Sequence, residues 1–269
     1  MEQQQGLTMF SDPRFWALHP TTVRLIVAWN AALLHGAKSV YADQWYADAE
    51  TYHLQPLISF GALYTHYPPS LKKYRQAIQA AVKRWPLANF EAWNESDNPS
   101  QPTFHQPILA AEYGKAMVEA CQNKCLAVPI TITIVQSNYT VQWLRAFLKA
   151  YGTAPSIWAI HTYGDVNRRN NRELDWFMKT YKPKDVWVTE TGAWEHFNSA
   201  YPSSVPRQTK ATPYVLDPAI LFPNIVQRVY YYEWQAPSTR EKTHWDTALI
   251  NAWGHARPAY YILLHQLEN

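Results

Sequence analysis

The segment DVWVTETG, Asp185 to Gly192, is a β-branched run that directly follows a helical stretch from Asn171 to Tyr181. The same order of helix and then strand recurs along the chain. Strands are predicted for six further runs: VRLIVAW (23–29), PLISFGALY (56–64), NFEAWNE (89–95), VPITITIV (128–135), SIWAIHTYG (156–164) and RVYYYEW (228–234). Strands that alternate with helices indicate βαβ units and a parallel sheet.

Seven strands are one fewer than a closed parallel barrel needs. The missing strand would be the first, and the only room for it is Glu2 to Gly6. A length of 269 residues is close to that of one such barrel. No repeat or linker divides the chain. We therefore expect an α/β fold, a (β/α)8 TIM barrel with a short or truncated first strand, as a single domain over 1–269. An open sheet is the alternative.

Two carboxylates and several other polar groups fall at predicted strand ends, where barrel enzymes carry their catalytic groups. Glu95 ends one strand, and Glu190 lies near the end of another. Cleavage of a glycosidic bond requires two carboxyl groups, one protonated to release the leaving oxygen and one ionised to support the anomeric carbon. If the two lie about 5 Å apart, the second attacks directly and the configuration is retained.

The motifs AWNE (92–95) and VTETG (188–192), with the Trp-terminated last strand, resemble those of clan A glycoside hydrolases. The similarity extends from Phe10 to Leu267 and includes GHARPAY (254–260), as in bacterial secreted proteins of this clan. The resemblance implies that Glu95 is the acid/base and Glu190 the nucleophile of a retaining enzyme.

The resemblance also assigns substrate-binding residues. It implies that Asn94 binds the sugar 2-hydroxyl and that Arg24 lies near the nucleophile. His161 and Tyr163 match a His/Tyr pair in which the Tyr holds the nucleophile. Trp234 matches the floor of the −1 subsite, and a cis peptide bond is expected after it.

Other residues are assigned from the sequence itself. A buried Arg24 within an apolar strand needs a partner, and Glu190 would supply it. The chain has 13 Trp, and Trp29 and Trp194 are candidates for stacking on sugar rings because they follow or flank strand ends. Trp158 and Trp187 are expected inside the packing. The roles of His66, Glu91 and Glu233 stay open.

The charge balance, 24 basic against 21 acidic residues, gives no reason to expect nucleic acid or membrane as a partner. We expect a monomer that binds an oligo- or polysaccharide and uses no metal or other cofactor. Cys121 and Cys125 are expected to form a short-loop disulfide, with free thiols as the alternative. Secretion is expected, although MEQQQGLTMF is not a signal peptide; the leader would have been removed and replaced by Met1.

Two other functions fit the same residues. A carbohydrate-binding barrel without turnover would keep the cleft, and a transglycosylase would pass the sugar to an acceptor other than water. The pattern favours a hydrolase because both carboxylates, Asn94 and Tyr163 are intact. It does not distinguish among sugars, linkages, or endo and exo action.

Overall fold

Short buried strands alternate with helices along the chain. The computed structural model describes residues 9–62, 67–236 and 245–269. The strands are β1 (Thr22–Ala28), β2 (Gln55–Gly61), β3 (Asn89–Glu91), β4 (Ala127–Val128), β5 (Thr131–Thr133), β6 (Trp158–His161), β7 (Val186–Thr191) and β8 (Val226–Tyr231). The helices are α1 (Pro13–Ala17), α2 (Ala37–Thr51), α3 (Leu71–Arg84), α4 (Pro107–Cys121), α5 (Asn138–Tyr151), α6 (Tyr163–Arg168), α7 (Arg172–Tyr181), α8 (Val205–Ala211), α9 (Asp217–Leu221) and α10 (Pro258–Glu268).

Helix α3 illustrates how the local sequence defines these elements. The Ser70 side chain accepts the Lys73 N–H and so caps the first turn. One face of the helix, including Tyr74 and Ile78, is buried. Lys83 and Arg84 lie in the last turn, where positive charge stabilises the helix dipole.

All strand pairings are parallel, and they form two four-stranded sheets, β1-β2-β3-β4 and β5-β6-β7-β8. The run predicted as one strand over 128–135 is divided between the two sheets. Pro129 and Ile130 separate β4 from β5, and proline cannot donate a ladder hydrogen bond. β4 pairs with β3 and β5 pairs with β6, so the strands follow one another around a single barrel wall.

The first and last strands of the wall, β1 and β8, lie side by side. Within the described residues no ladder joins β1 to β8, although the two strands lie in contact. A cavity of about 370 Å³ follows this seam, and its lining includes Leu25, Val229, Trp45 and Leu263. The predicted first strand, Glu2 to Gly6, lies outside the described residues.

The segment from His196 to Pro218 is more ordered than predicted. Its prolines and its lack of periodicity predict a loop that walls one side of the cleft, but α8 occupies Val205–Ala211, and a 3-10 turn follows at Thr212–Tyr214. The Ser204 side chain caps α8, and Pro206 lies in the first turn, where a missing N–H has no cost. The loop prediction was wrong because proline was taken as a sign of irregular structure.

Cys121 and Cys125 are bonded as a disulfide at the end of α4, as preferred from the sequence. In the described part of the chain, no helix is both long and apolar enough to cross a membrane.

Candidate active site

The nucleophile candidate, Glu190, lies on β7 and is buried. Both of its carboxylate oxygens accept hydrogen bonds. Arg24 Nη1 donates to Oε1 at 2.6 Å, and the Tyr163 hydroxyl donates to Oε2 at 2.9 Å. Tyr163 begins helix α6 rather than lying within a strand. These two bonds fix the carboxylate plane, and the guanidinium places a positive charge beside it.

Arg24 is fully enclosed in the barrel interior, and its guanidinium donates in three directions. Besides Glu190, Nε donates to Glu91 Oε2 at 2.7 Å, and Nη2 donates to Asn94 Oδ1 at 2.7 Å. Burial lowers the pKa of Arg24, but the charges of Glu91 and Glu190 outweigh it and raise the pKa above its usual value. Arg24 therefore stays charged and orients one carboxylate and one amide of the candidate site.

Glu91, whose role the sequence left open, is completely buried and supports the site from within the barrel. It accepts hydrogen bonds from the hydroxyls of Thr131 and Thr189, the latter at 3.1 Å. Burial raises the pKa of Glu91, but the nearby Arg24 more than compensates and holds the pKa below the usual glutamate range. Glu91 thus acts as a second counter-ion that shares Arg24 with Glu190.

The acid/base candidate, Glu95, lies four residues beyond β3 and keeps 17 % of its side chain exposed. Its backbone has a φ of 45°, the left-handed region, which costs a non-glycine residue about 1 kcal/mol. Thr133 Oγ1 donates to Oε1 at 2.9 Å, and Asn98 Nδ2 donates to Oε2 at 2.9 Å. His161 Nδ1 lies 3.0 Å from Oε1. Three neighbours therefore hold a carboxyl that faces the open end of the barrel.

Glu95 and His161 form a proton-sharing pair. Burial raises the pKa of Glu95, but the hydrogen bond and charge of His161 bring it below its usual value. Burial lowers the pKa of His161, and the charges of Glu190 and Glu95 raise it above the usual histidine value. In the unliganded site these shifts favour a proton on His161, directed at Glu95.

Glu95, His161 and Glu190 each present an atom within 4.8 Å of the others. One oxygen of each carboxylate therefore lies within 4.8 Å of one oxygen of the other. Three such ligand atoms could also contact a cation. The positive charge of Arg24, 2.6 Å from Glu190, already neutralises that carboxylate.

The predicted aromatic residues lie in different surroundings. Trp29 follows β1 and is half-buried against the core, and its backbone N–H donates to Gly61 O at 3.0 Å. Trp194 stacks on Phe197, with ring centres 4.4 Å apart, and contacts Trp245 edge to face. Trp158 and Trp187 are inside the packing, as expected.

Trp234 follows β8 and is 9 % exposed. Its ring packs edge to face against Phe15 and Tyr260 and belongs to the core. The cis bond expected after Trp234 lies instead between Tyr232 and Glu233. That expectation was wrong by two residues, because the resemblance aligned the cis bond to the nearest tryptophan. Tyr232 influences the titration of Tyr163 and therefore lies near the nucleophile.

Some residues of the site were missed from the sequence. Thr133 ends β5, and Asn98 belongs to a turn that begins at Glu95, where the Asn98 N–H donates to Glu95 O at 2.9 Å. The motif ESDN after the acid/base was a usable signal, because Asp and Asn are typical turn residues. His66 lies outside the described residues. Glu233 is 9 % exposed and follows the cis bond.

The barrel wall and the carboxylate pair at its carboxyl end define the class of a barrel-type glycosidase core. The family model "Glycosyl hydrolase catalytic core" matches residues 65–261, and the chain belongs to that family. No curated protein matches the chain.

Solved structures with the same fold are glycoside hydrolases. A family 39 glycoside hydrolase from Bacteroides cellulosilyticus WH2 is 16% identical, with a TM-score of 0.60 over 97% of this chain and 60% of that chain. A GH5_18 protein from Bifidobacterium longum is 11% identical, with a TM-score of 0.66 over 97% and 72%. Xylanase 10B from Thermotoga maritima is 14% identical, with a TM-score of 0.61 over 85% and 79%.

The chain spans about three-fifths of the length of the first of these structures. At such identities the similarity concerns the fold, and it confirms the predicted (β/α)8 barrel. The family match confirms the clan-level resemblance.

Proposed function

We propose that the chain is a retaining glycoside hydrolase that acts by double displacement, with Glu190 as nucleophile and Glu95 as acid/base. One observation carries the proposal: carboxylate oxygens of the two residues lie within 4.8 Å. Retaining enzymes place their carboxyl groups about 5–5.5 Å apart, and inverting enzymes place them at roughly 6.5–9.5 Å.

In the first step, a Glu190 oxygen forms a bond to the anomeric carbon while the bond to the leaving oxygen breaks. Glu95 supplies the proton that the leaving oxygen takes up. Binding of the substrate shifts the proton equilibrium between His161 and Glu95 toward Glu95. The proton held on His161 Nδ1 then passes to Glu95, 3.0 Å away. Tyr163 and Arg24 hold Glu190 in line throughout.

In the second step, Glu95 takes a proton from water, and the resulting hydroxide oxygen attacks the anomeric carbon. The bond to Glu190 breaks, and the carboxylate returns to its place between Arg24 and Tyr163. Asn94 binds the 2-hydroxyl in both steps. Its carbonyl oxygen is engaged by Arg24, so its amide nitrogen is the group that donates to the sugar.

The substrate is an oligo- or polysaccharide, and Trp29 and Trp194 are stacking candidates for it. The disulfide between Cys121 and Cys125 supports an extracellular site of action, because such bonds persist in oxidising compartments. We also propose that the chain is a single domain, that it acts as a monomer and that it needs no metal.

The test is hydrolysis of a panel of aryl glycosides by the wild-type chain and by Glu190→Ala. We expect the variant to lose at least about 10⁴-fold in kcat. Azide should restore turnover and give a glycosyl azide of inverted configuration, because azide fills the space of the missing carboxylate. Glu195→Gln, a nearby acid outside the mechanism, should retain activity.

Full activity of Glu190→Ala would overturn the assignment. Binding of sugars by the wild-type chain without release of the aryl group would support a carbohydrate-binding barrel instead. Transfer products at high acceptor concentration would identify a transglycosylase.

A further inference from the structure

Asp97 is a buried carboxylate close to the candidate acid/base that the proposed mechanism does not use. It lies two residues after Glu95 and is 6 % exposed. Its Oδ1 accepts the backbone N–H of Thr133 at 3.0 Å. The hydroxyl of the same Thr133 donates to Glu95 Oε1 at 2.9 Å. Asp97 is therefore connected to Glu95 through a single residue of β5.

Thr133 also connects this chain of contacts to His161. Thr133 on β5 pairs with His161 on β6, and both side chains reach the same oxygen of Glu95. A shift of Thr133 would change both the donor to Glu95 and its distance from His161. The backbone of Glu95 is in the left-handed region, so the side chain depends on such neighbours for its position.

Asp97 and Glu95 ionise in different pH ranges. Burial raises the pKa of Asp97 to about 7, the Glu95 charge contributes to the rise, and the Thr133 N–H and His161 oppose it. The pKa of Glu95 lies below its usual value, so Glu95 ionises while Asp97 still holds its proton and accepts the Thr133 N–H. Tyr139 also faces Asp97, and Arg24 faces Glu95.

We propose that Asp97 is a positioning residue for the acid/base, which fixes Glu95 through Thr133. The inference rests on the proposed function. In this proposal, Asp97 does not contact the substrate. Its effect is therefore expected in the pH profile and in kcat more than in KM.

The test compares pH profiles of kcat/KM for the best aryl glycoside of the panel. Asp97→Ala removes the acceptor of the Thr133 N–H, so the hydrogen bond from Thr133 to Glu95 should weaken, the alkaline limb should move to higher pH by about one unit, and kcat should fall. Asp97→Asn keeps an acceptor and should follow the wild type. Thr133→Val removes a hydrogen bond that stabilises ionised Glu95, so its limb should also move to higher pH and kcat should fall about tenfold. Thr133→Ser keeps the hydroxyl and should restore both. A merely structural role would lower stability without moving the alkaline limb.

Asp185→Asn is the matched control, because burial also raises the pKa of Asp185, which lies at the opposite end of β7. Its profile should follow the wild type. If Asp97→Ala does not fold, Asp97→Val, which also lacks an acceptor, takes its place.

An unchanged alkaline limb in Asp97→Ala would overturn the inference, provided that wild type is active and Glu190→Ala is not. If wild type hydrolyses no glycoside, the proposed function fails, and the role of Asp97 fails with it.

Discussion

Arg24 joins the acidic groups of the site into one charge-balanced unit. It contacts Glu91 at 2.7 Å and Glu190 at 2.6 Å, and all three side chains are almost fully removed from solvent. An ion pair in such surroundings is stable only while each charge keeps its partner. Glu91 therefore matters to the free energy of unfolding as well as to the geometry of Glu190.

We predict that Glu91→Gln lowers the free energy of unfolding at pH 7 by about 3 kcal/mol, because Arg24 loses one of two counter-charges in a buried site. The measurement is urea denaturation at several pH values. Glu119→Gln, which removes an exposed partner of Arg75, is the control and should change stability by less than about 1 kcal/mol.

The pH dependence of this difference follows from the sign of the shift. The pKa of Glu91 is lower in the folded chain, so its contribution is present above the unfolded value of about 4.3. It is lost as the pH falls through the folded value. The gap between Glu91→Gln and wild type should therefore shrink below about pH 4. A gap that is constant down to pH 3 would contradict this explanation.

At the scale of residues, the sequence indicated the two candidate carboxylates but not the side chains that hold them in position. Glu95 and Glu190 could be predicted because parallel strands bring their carboxyl ends together. Asn98 and Thr133 could not, because their contacts depend on the left-handed backbone of Glu95 and on the end of β5. The packing of the Trp234 ring depends on the chain path after β8 and could not be predicted from the sequence either.

At the scale of elements, helix α4 packs closely against the break between β4 and β5. A Cβ added at Gly114 would lie 2.5 Å from the carbonyl oxygen of Pro129 and 3.1 Å from its Cβ. A backbone oxygen cannot move aside as a flexible side chain can. Gly114 is therefore the residue that lets the helix approach the wall where the two sheets meet.

We predict that Gly114→Ala destabilises the chain by about 2 kcal/mol, because overpacking outweighs the gain in helix propensity. Thermal unfolding provides the measurement. Gly164→Ala in α6 is the control, since the nearest atom there is the flexible end of Arg168 at 3.1 Å. A Gly114→Ala chain as stable as the wild type would show that α4 can move away from Pro129.

Most elements could be predicted from periodicity, and the errors have physical causes. The sequence predicts a helix from Leu71 to Arg84, with PPS (68–70) at its start, and α3 has these bounds. The last strand begins at Val226, two residues earlier than predicted, because α9 is only five residues long. The β-branched residues of the run 128–135 predict one continuous strand, but Pro129 divides it into β4 and β5.

At the scale of the whole molecule, the candidate site joins the two sheets across the barrel. Arg24 and Glu91 come from the first sheet, and Thr133, His161 and Glu190 come from the second. The bond from Arg24 to Glu190 therefore spans the interior next to the seam between β1 and β8. The barrel was predicted from the alternation of strands and helices, the chain length and the family resemblance.

The most direct test of double displacement is the configuration of the first product. Hydrolysis of the best aryl glycoside is followed by proton NMR before the released sugar mutarotates. With carboxylate oxygens of Glu95 and Glu190 within 4.8 Å, we predict a first product with the anomeric configuration of the substrate. An initial product of inverted configuration would contradict the assignment of Glu190 as nucleophile.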